Sequence, residues 1–290
     1  MRDRLDPLIA ERAPWLYQDT IPARSAQVVL HRLLAYERTC EIGGHYLHLT
    51  IDEIMTDLAR RIARRVTHDG LDNVPQDGPC LIVANHPTGI ADGIILHDRL
   101  MRRRSDMFIY ANSDIIRVLP PFADIVVPVE WRQEKRTVTK TRETMSQTRA
   151  ALEAGRMGVI FPSGRLAKRR GLRLHERPWM ASAAMIARKF ELPVIPVHIR
   201  ARNSAMFYAF DAIHPTLRDI TLFHETLNKD VQPYHVTFGR PIDGALLPKD
   251  ANLGIEVLRE ATLALGNQRH GEIKLTETRP AFRLFRPRAV

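Results

Sequence analysis

Two rhythms of apolar residues divide the chain. Toward the N-terminus they recur every three or four positions: Val28, Val29, Leu30, Leu33 and Leu34 within residues 24–38, then Ile51, Ile54, Met55, Leu58, Ile62 and Val66 within 51–66. This spacing predicts helices over the first 70 or so residues. On a helical wheel the second set falls within roughly 120° of arc, with Arg60 and Arg64 pointing away and Arg61 and Arg65 near the margin. Such a basic amphipathic helix has two uses. It packs its stripe on the core and solvates its arginines, or it lies in an anionic membrane interface.

From Asn73 onward short apolar runs, bounded by Gly, Pro or Asp, alternate with longer helical stretches. Strands are predicted at 80–84, 107–111, 124–129, 157–161, 192–199 and 234–239, and helices at 91–104, 136–155, 178–191 and 250–267. The alternation implies an α/β fold: a mixed, mostly parallel sheet flanked by helices and preceded by an N-terminal helical segment. In such sheets the ligand crevice lies beyond the carboxyl ends of the strands. The expected organisation is a helical segment over 1–72 with a possible membrane-surface contact, an α/β domain over 73–270, and a basic-aromatic tail over 271–290. No internal repeat and no clear linker interrupts it.

Composition narrows the class. With 44% hydrophobic and 26% charged residues over 290 positions, a folded globular body is expected rather than a low-complexity chain. No window supplies the ~20 apolar residues of a membrane-spanning helix, and the N-terminal stretch lacks a signal-peptide core, so a cytoplasmic location is expected. Cys40 and Cys80 are too few for a disulfide framework and match no zinc-ligand spacing, so no metal site is expected. Charge points to an anionic partner: the net formal charge is +10, and 36 of the 43 basic residues are arginine. The guanidinium fork suits phosphate, but the excess alone does not separate nucleic acid, anionic lipid and a phosphorylated small molecule.

The segment LIVANHPTGIADG, residues 81–93, carries the chemistry. An apolar strand runs into Asn85-His86, passes Pro87-Thr88-Gly89 and opens a helix whose first turn holds Asp92. A tight turn brings that carboxylate back onto the imidazole Nδ1–H, fixing the tautomer and leaving Nε2 as a base. With no serine or cysteine in an obvious nucleophile setting nearby, the simplest use of the pair is to deprotonate a hydroxyl of the substrate. A His/Asp pair on its own is more often a structural cap than a catalytic pair.

The chain here resembles the glycerolipid acyltransferase family, which acylates glycerol-3-phosphate and lysophosphatidic acid. Members carry Asn-His and a nearby Asp at a strand end. Five residues separate His86 from Asp92, as in the branch that includes hemolysin-like and lyso-ornithine-lipid acyltransferases. DIVVPVEW (124–131), VIFPSGR (159–165) and LPVIPV (192–197) resemble the second to fourth family blocks in order and spacing, so the resemblance covers about residues 73–240. It implies His86 and Asp92 as the catalytic pair, with Asn85 carried over beside them. The third block departs from the common Phe-Pro-Glu-Gly-Thr-Arg, whose Glu and Arg help hold the acceptor's phosphate end. Here Ser163 replaces Glu, Arg165 stands where Thr is usual, and Leu166 stands where Arg is usual. Ser163, Gly164 and Arg165 are therefore expected at the substrate, with Lys168-Arg169-Arg170 as a further source of positive charge, and Arg132 of the second block toward the acceptor's anionic group.

The implied activity is O-acyl transfer in phospholipid synthesis from acyl-CoA or acyl-carrier protein, as co-substrate, to the hydroxyl of a lysophospholipid or related lysolipid. Neither a cofactor nor a metal is required. Backbone N–H groups near Gly89 or Gly164 are expected to serve the developing oxyanion. An anionic membrane surface on the inner face of the cell membrane is the expected partner, met by the helix at 51–66 or by Phe282, Leu284 and Phe285 with the interleaved arginines of the tail. The Arg99–Arg104 cluster is either a phosphate contact or plain helix surface. Two other classes compete: a serine hydrolase using Ser163 with His86, against which stands the missing Gly-x-Ser-x-Gly elbow, and a non-catalytic membrane- or nucleic-acid-binding protein, against which stands the lack of a recognition motif.

Overall fold

The strand β2 (Cys80–Ala84) is buried at every position, as a strand covered on both faces must be. In the computed structural model, which describes residues 1–130, 137–230, 232–266 and 272–274, it pairs in parallel with β5 (Met157–Ile160) on one side and β8 (Pro193–Arg200) on the other. Outward from β5 come β3 (Met107–Ala111) and β4 (Val126–Pro128), both parallel. Outward from β8 come β9 (Tyr234–Phe238), antiparallel to it, and then β1 (Val66–Asp69), parallel to β9. The short β10 (Ile242–Asp243) pairs antiparallel with the start of β8. A small second sheet joins β6 (Lys168–Arg170), β7 (Arg173–His175) and β11 (Glu272–Lys274), all antiparallel.

Alternate residues of β2 serve two cores, because successive side chains of a strand point to opposite faces. Cys80, Ile82 and Ala84 face the layer of α4 (Ile51–Ile62) and α5 (Ile90–Leu100), while Leu81 and Val83 face the layer of α8 (Ser182–Lys189) and α12 (Ala251–Ala264), which α7 (Val138–Glu153) extends. The first core also takes in α1 (Arg2–Arg12), α3 (Tyr36–Tyr46) and α6 (Asp114–Val118). Beside it stand α2 (Ile21–Leu33) and the short helices α9 (Ala205–Ile213), α10 (Pro215–Ile220) and α11 (Leu222–Leu227). The α/β class with a mostly parallel sheet is as the apolar rhythm predicts.

The N-terminal segment departs from expectation at its C-terminal end. Helix α4 stops at Ile62, and Val66 opens β1 within the main sheet, so strand pairing begins before Asn73. A four-residue strand with one half-buried face leaves too short an alternation to stand out from a preceding helical stripe. Of the two uses open to the stripe of α4, the structure takes the core: Ile51, Ile54, Met55, Leu58 and Ile62 are buried there. A capping box fixes the helix start, with the Thr50 hydroxyl accepting from Glu53 N–H and the Glu53 carboxylate accepting from Thr50 N–H. The exposed apolar side chains lie on α2 instead, where Ile21, Val28, Val29 and Leu33 face outward. The tail contact expected over 279–288 lies outside the described residues.

Candidate functional site

Two backbone requirements shape the turn that leaves β2. Gly89 adopts φ +98°, a region L side chains rarely enter, and a Cβ there would lie 3.1 Å from Leu166 Cδ2. Asp92 then closes the turn as the third residue of α5. Its Oδ2 accepts from Thr88 N–H at 2.8 Å and Gly89 N–H at 3.0 Å, and its Oδ1 accepts from the Thr88 hydroxyl at 2.5 Å. Asp92 is wholly buried, and these donors replace the water its carboxylate has lost. The Oδ2 also lies 2.9 Å from His86 Nδ1. The approach is not linear, since the ring N–H axis misses hydrogen-bond alignment and Nδ1 has no other partner. Phe161 stacks on the His86 ring at 4.2 Å between centroids, and Ala167 N–H donates to the His86 carbonyl at 2.9 Å.

His86 lines a cleft of about 960 Å³. One wall is apolar and comes from the N-terminal helices and the sheet end, including Leu8, Leu30, Leu34, Phe122 and Ile125. The cleft also takes in Arg165, Arg177 and Arg218. Burial, and then the nearby Arg218 and Arg165, press the Arg177 pKa below its ordinary range. Arg177 Nε donates to the Leu166 carbonyl at 2.9 Å, while Arg218 pairs with Asp211 at 3.1 Å and Asp219 at 2.7 Å. Such a cluster of guanidiniums suits an anionic headgroup. Of the three, sequence spacing pointed only to Arg165. Arg177 and Arg218 stand outside every motif, and only the fold gathers them.

The other expected residues fare differently. Asn85, expected at the substrate, is instead a structural link: its Nδ2 donates to the Ile199 carbonyl at 2.9 Å and its Oδ1 accepts from Ile199 N–H at 2.6 Å, which prolongs the β2–β8 pairing and leaves the side chain buried. Gly164 and Arg165 line the cleft. The N–H groups of Gly89 and Gly164 are not open to an oxyanion, since they donate to Asp92 and to the Phe161 carbonyl. Ser163 is buried and its hydroxyl donates to the Arg165 carbonyl at 2.8 Å, an arrangement that supports neither a nucleophile nor a substrate contact. Arg132 lies outside the described residues. Lys168, Arg169 and Arg170 form β6 and do not line the cleft. In the Arg99–Arg104 cluster, Arg99 pairs with Asp98, and Arg104 pairs with Asp106 and donates to the carbonyls of Gly78 and Gly155.

Sequence reasoning missed Glu176. Its Oε2 accepts from His86 N–H at 3.4 Å and its Oε1 from the Trp179 indole N–H at 3.0 Å, and burial pushes its carboxyl pKa up. It also missed the polar cluster behind the turn. Lys229, fully buried, has its Nζ 2.6 Å from Asn203 Oδ1 and 3.1 Å from Glu225 Oε2, and Asn203 Nδ2 donates to the Thr88 carbonyl at 3.4 Å. Among the described residues no group of three or more His, Cys, Asp or Glu is placed to hold a metal ion.

Residues 65–200 match the family model described as Acyltransferase. The chain is similar to the lyso-glycine lipid O-acyltransferase of Phocaeicola vulgatus, at 26% identity over 184 residues covering 61% of this chain and 64% of that protein. A protein of the same description from Bacteroides thetaiotaomicron is 25% identical over 61% of this chain and 66% of its own length. The aligned part thus spans just under two thirds of these relatives. In fold the chain is similar to the 1-acyl-sn-glycerophosphate acyltransferase of Thermotoga maritima, with a TM-score of 0.50 at 14% identity, covering 84% of this chain and 96% of that one.

Proposed function

We propose that this protein is an O-acyltransferase that moves a fatty acyl group from a thioester, acyl-CoA or acyl-carrier protein, to the hydroxyl of a lysolipid. The observation that carries the reading is His86 in an apolar cleft with its Nδ1 2.9 Å from the buried Asp92 carboxylate. His86 accepts the acceptor's hydroxyl proton as that oxygen attacks the acyl carbonyl, and the thiolate leaves. Asp92 orients the ring and stabilises the imidazolium. The reaction proceeds without an acyl-enzyme, a reading supported by the Ser163 hydroxyl being bonded to the Arg165 carbonyl. General-base assistance of this kind is worth roughly 10² to 10⁴ in rate.

The acceptor's anionic headgroup is assigned to Arg165, Arg177 and Arg218. The relatives are named for a lyso-glycine lipid, so an acceptor bearing an amino-acid headgroup, lyso-glycine or lyso-ornithine lipid, takes precedence over lysophosphatidic acid. A peripheral position on the inner face of the membrane fits the outward apolar side chains of α2, and no helix among the described residues is long and apolar enough to cross a bilayer.

The test is a product screen by mass spectrometry, with labelled acyl-CoA or acyl-carrier protein and a panel of the three lysolipid types. His86→Ala and Asp92→Ala are expected to lose most turnover while staying folded. Near-parental transfer by either variant removes the role assigned to that side chain.

A further inference from the structure

His86 is gripped from two directions, and the mechanism above uses only one. Asp92 meets its ring, whereas Glu176 meets its backbone. Glu176 lies between β7 and α8, remote in sequence from the turn, and is only 9% exposed. Its two oxygens face different donors, the His86 N–H and the Trp179 indole N–H, and the Ser163 hydroxyl stands beside them. The far side of the same residue is fixed as well, because Ala167 N–H donates to the His86 carbonyl. A carboxylate suits this place because it accepts on both oxygens and donates on neither when ionised.

We propose that Glu176 is a positioning residue for His86: from a distant segment it fixes the backbone at the base's own position. The contact itself is independent of the catalytic reading, and the predicted kinetic effect rests on that reading. Glutamine at 176 keeps the shape but has one acceptor oxygen, so its amide N–H₂ confronts one of the two N–H donors. A displacement of about 1 Å at a reacting group costs on the order of 10²-fold in rate.

The experiment compares the full-length parent with Glu176→Gln and Trp179→Phe by amide hydrogen exchange of the peptide containing His86, and by steady-state kinetics on the best lysolipid. In Glu176→Gln the His86 amide is expected to exchange about tenfold faster while the core strands keep their protection, since local opening is read separately from global unfolding. The kcat is expected to fall about 10- to 100-fold with KM within about threefold. Trp179→Phe frees one carboxylate oxygen and is expected to show the same effects, smaller. Parental exchange at His86 in Glu176→Gln, or parental kcat despite faster exchange, overturns the proposal. Should Glu176→Gln fail to fold, parental exchange and kcat in Trp179→Phe overturn it. A parent protein with no acyl transfer defeats the functional reading, and the exchange result then decides the Glu176 contact alone.

Discussion

Thr88 brackets the carboxylate of Asp92, its N–H reaching Oδ2 at 2.8 Å and its hydroxyl reaching Oδ1 at 2.5 Å. Because that hydroxyl's single proton goes to the carboxylate, the Tyr234 hydroxyl, 2.7 Å away, is the donor to Thr88. Tyr234 is thus held protonated, in keeping with a pKa that burial pushes well up. The chain Tyr234, Thr88, Asp92, His86 ties β9 to the proposed base. Thr88→Val keeps the shape and removes the hydroxyl, leaving Asp92 short of a charge-assisted bond worth about 1.5 to 3 kcal/mol. A drop in kcat of about tenfold or more is expected, with Thr88→Ser close to parent. Equal kinetics for the valine and serine variants would show that the hydroxyl has no part in catalysis.

Much of this arrangement was legible in the sequence. The run CLIVA is apolar at all five positions and could only be a doubly covered strand, and the Gly before Ile90 marks the turn that turns His86 and Asp92 toward each other. What was not legible is long-range. Arg177 and Arg218 reach the cleft, and Glu176 reaches the His86 backbone, through the folding of segments that carry no periodic signal. The stripe of α4 read as core or as membrane face, because periodicity says which residues share a side and not what covers them. Asn85 looked like part of the chemistry because of its neighbour, yet it bonds the backbone of a strand 114 residues away in sequence.

The buried pair Lys229 and Glu225, 3.1 Å apart, packs behind the turn and shares Asn203 with it. Removing one partner of such a pair leaves an uncompensated buried charge, at a cost of about 3 to 5 kcal/mol. Lys229→Met is therefore expected to lower stability by that order in urea unfolding. The double change Lys229→Met with Glu225→Gln is expected to recover part of the loss, because no lone charge remains. A single variant as stable as the parent would mean that water or another cation reaches Glu225.

His97 on α5 is 5% exposed, and burial lowers its pKa below the ordinary 6.5. Below pH 6.5 the unfolded chain therefore takes up a proton that the folded protein resists. Stability is expected to fall as pH drops from 6.5 toward the folded value, by at most about 1.4 kcal/mol per pH unit for this one group. His97→Leu removes the titration and is expected to flatten this limb in unfolding measured from pH 7 to 5. An unchanged slope would assign the acid sensitivity to other groups.

Helix α2 offers the last test, since its two sides have different surroundings. Leu30 and His31 line the cleft, whereas Ile21, Val28 and Val29 are 82%, 68% and 62% exposed, with Arg24 and Arg32 exposed on the same helix. Apolar side chains among arginines suit an anionic lipid interface, each basic residue contributing about 1 kcal/mol near the surface. Val28→Asp with Val29→Asp places two negative charges on that face and removes its apolar area. Binding to vesicles containing anionic lipid is expected to fall at least about tenfold, the free-energy change being on the order of 2 kcal/mol for two added negative charges at about 1 kcal/mol each. The thermal midpoint is expected to stay near the parent's, since both side chains are solvated in the folded protein. Raising the salt concentration is expected to weaken the parent's binding in the same direction, through screening of the arginines. Undiminished vesicle binding by the double variant would move the membrane contact to another part of the surface.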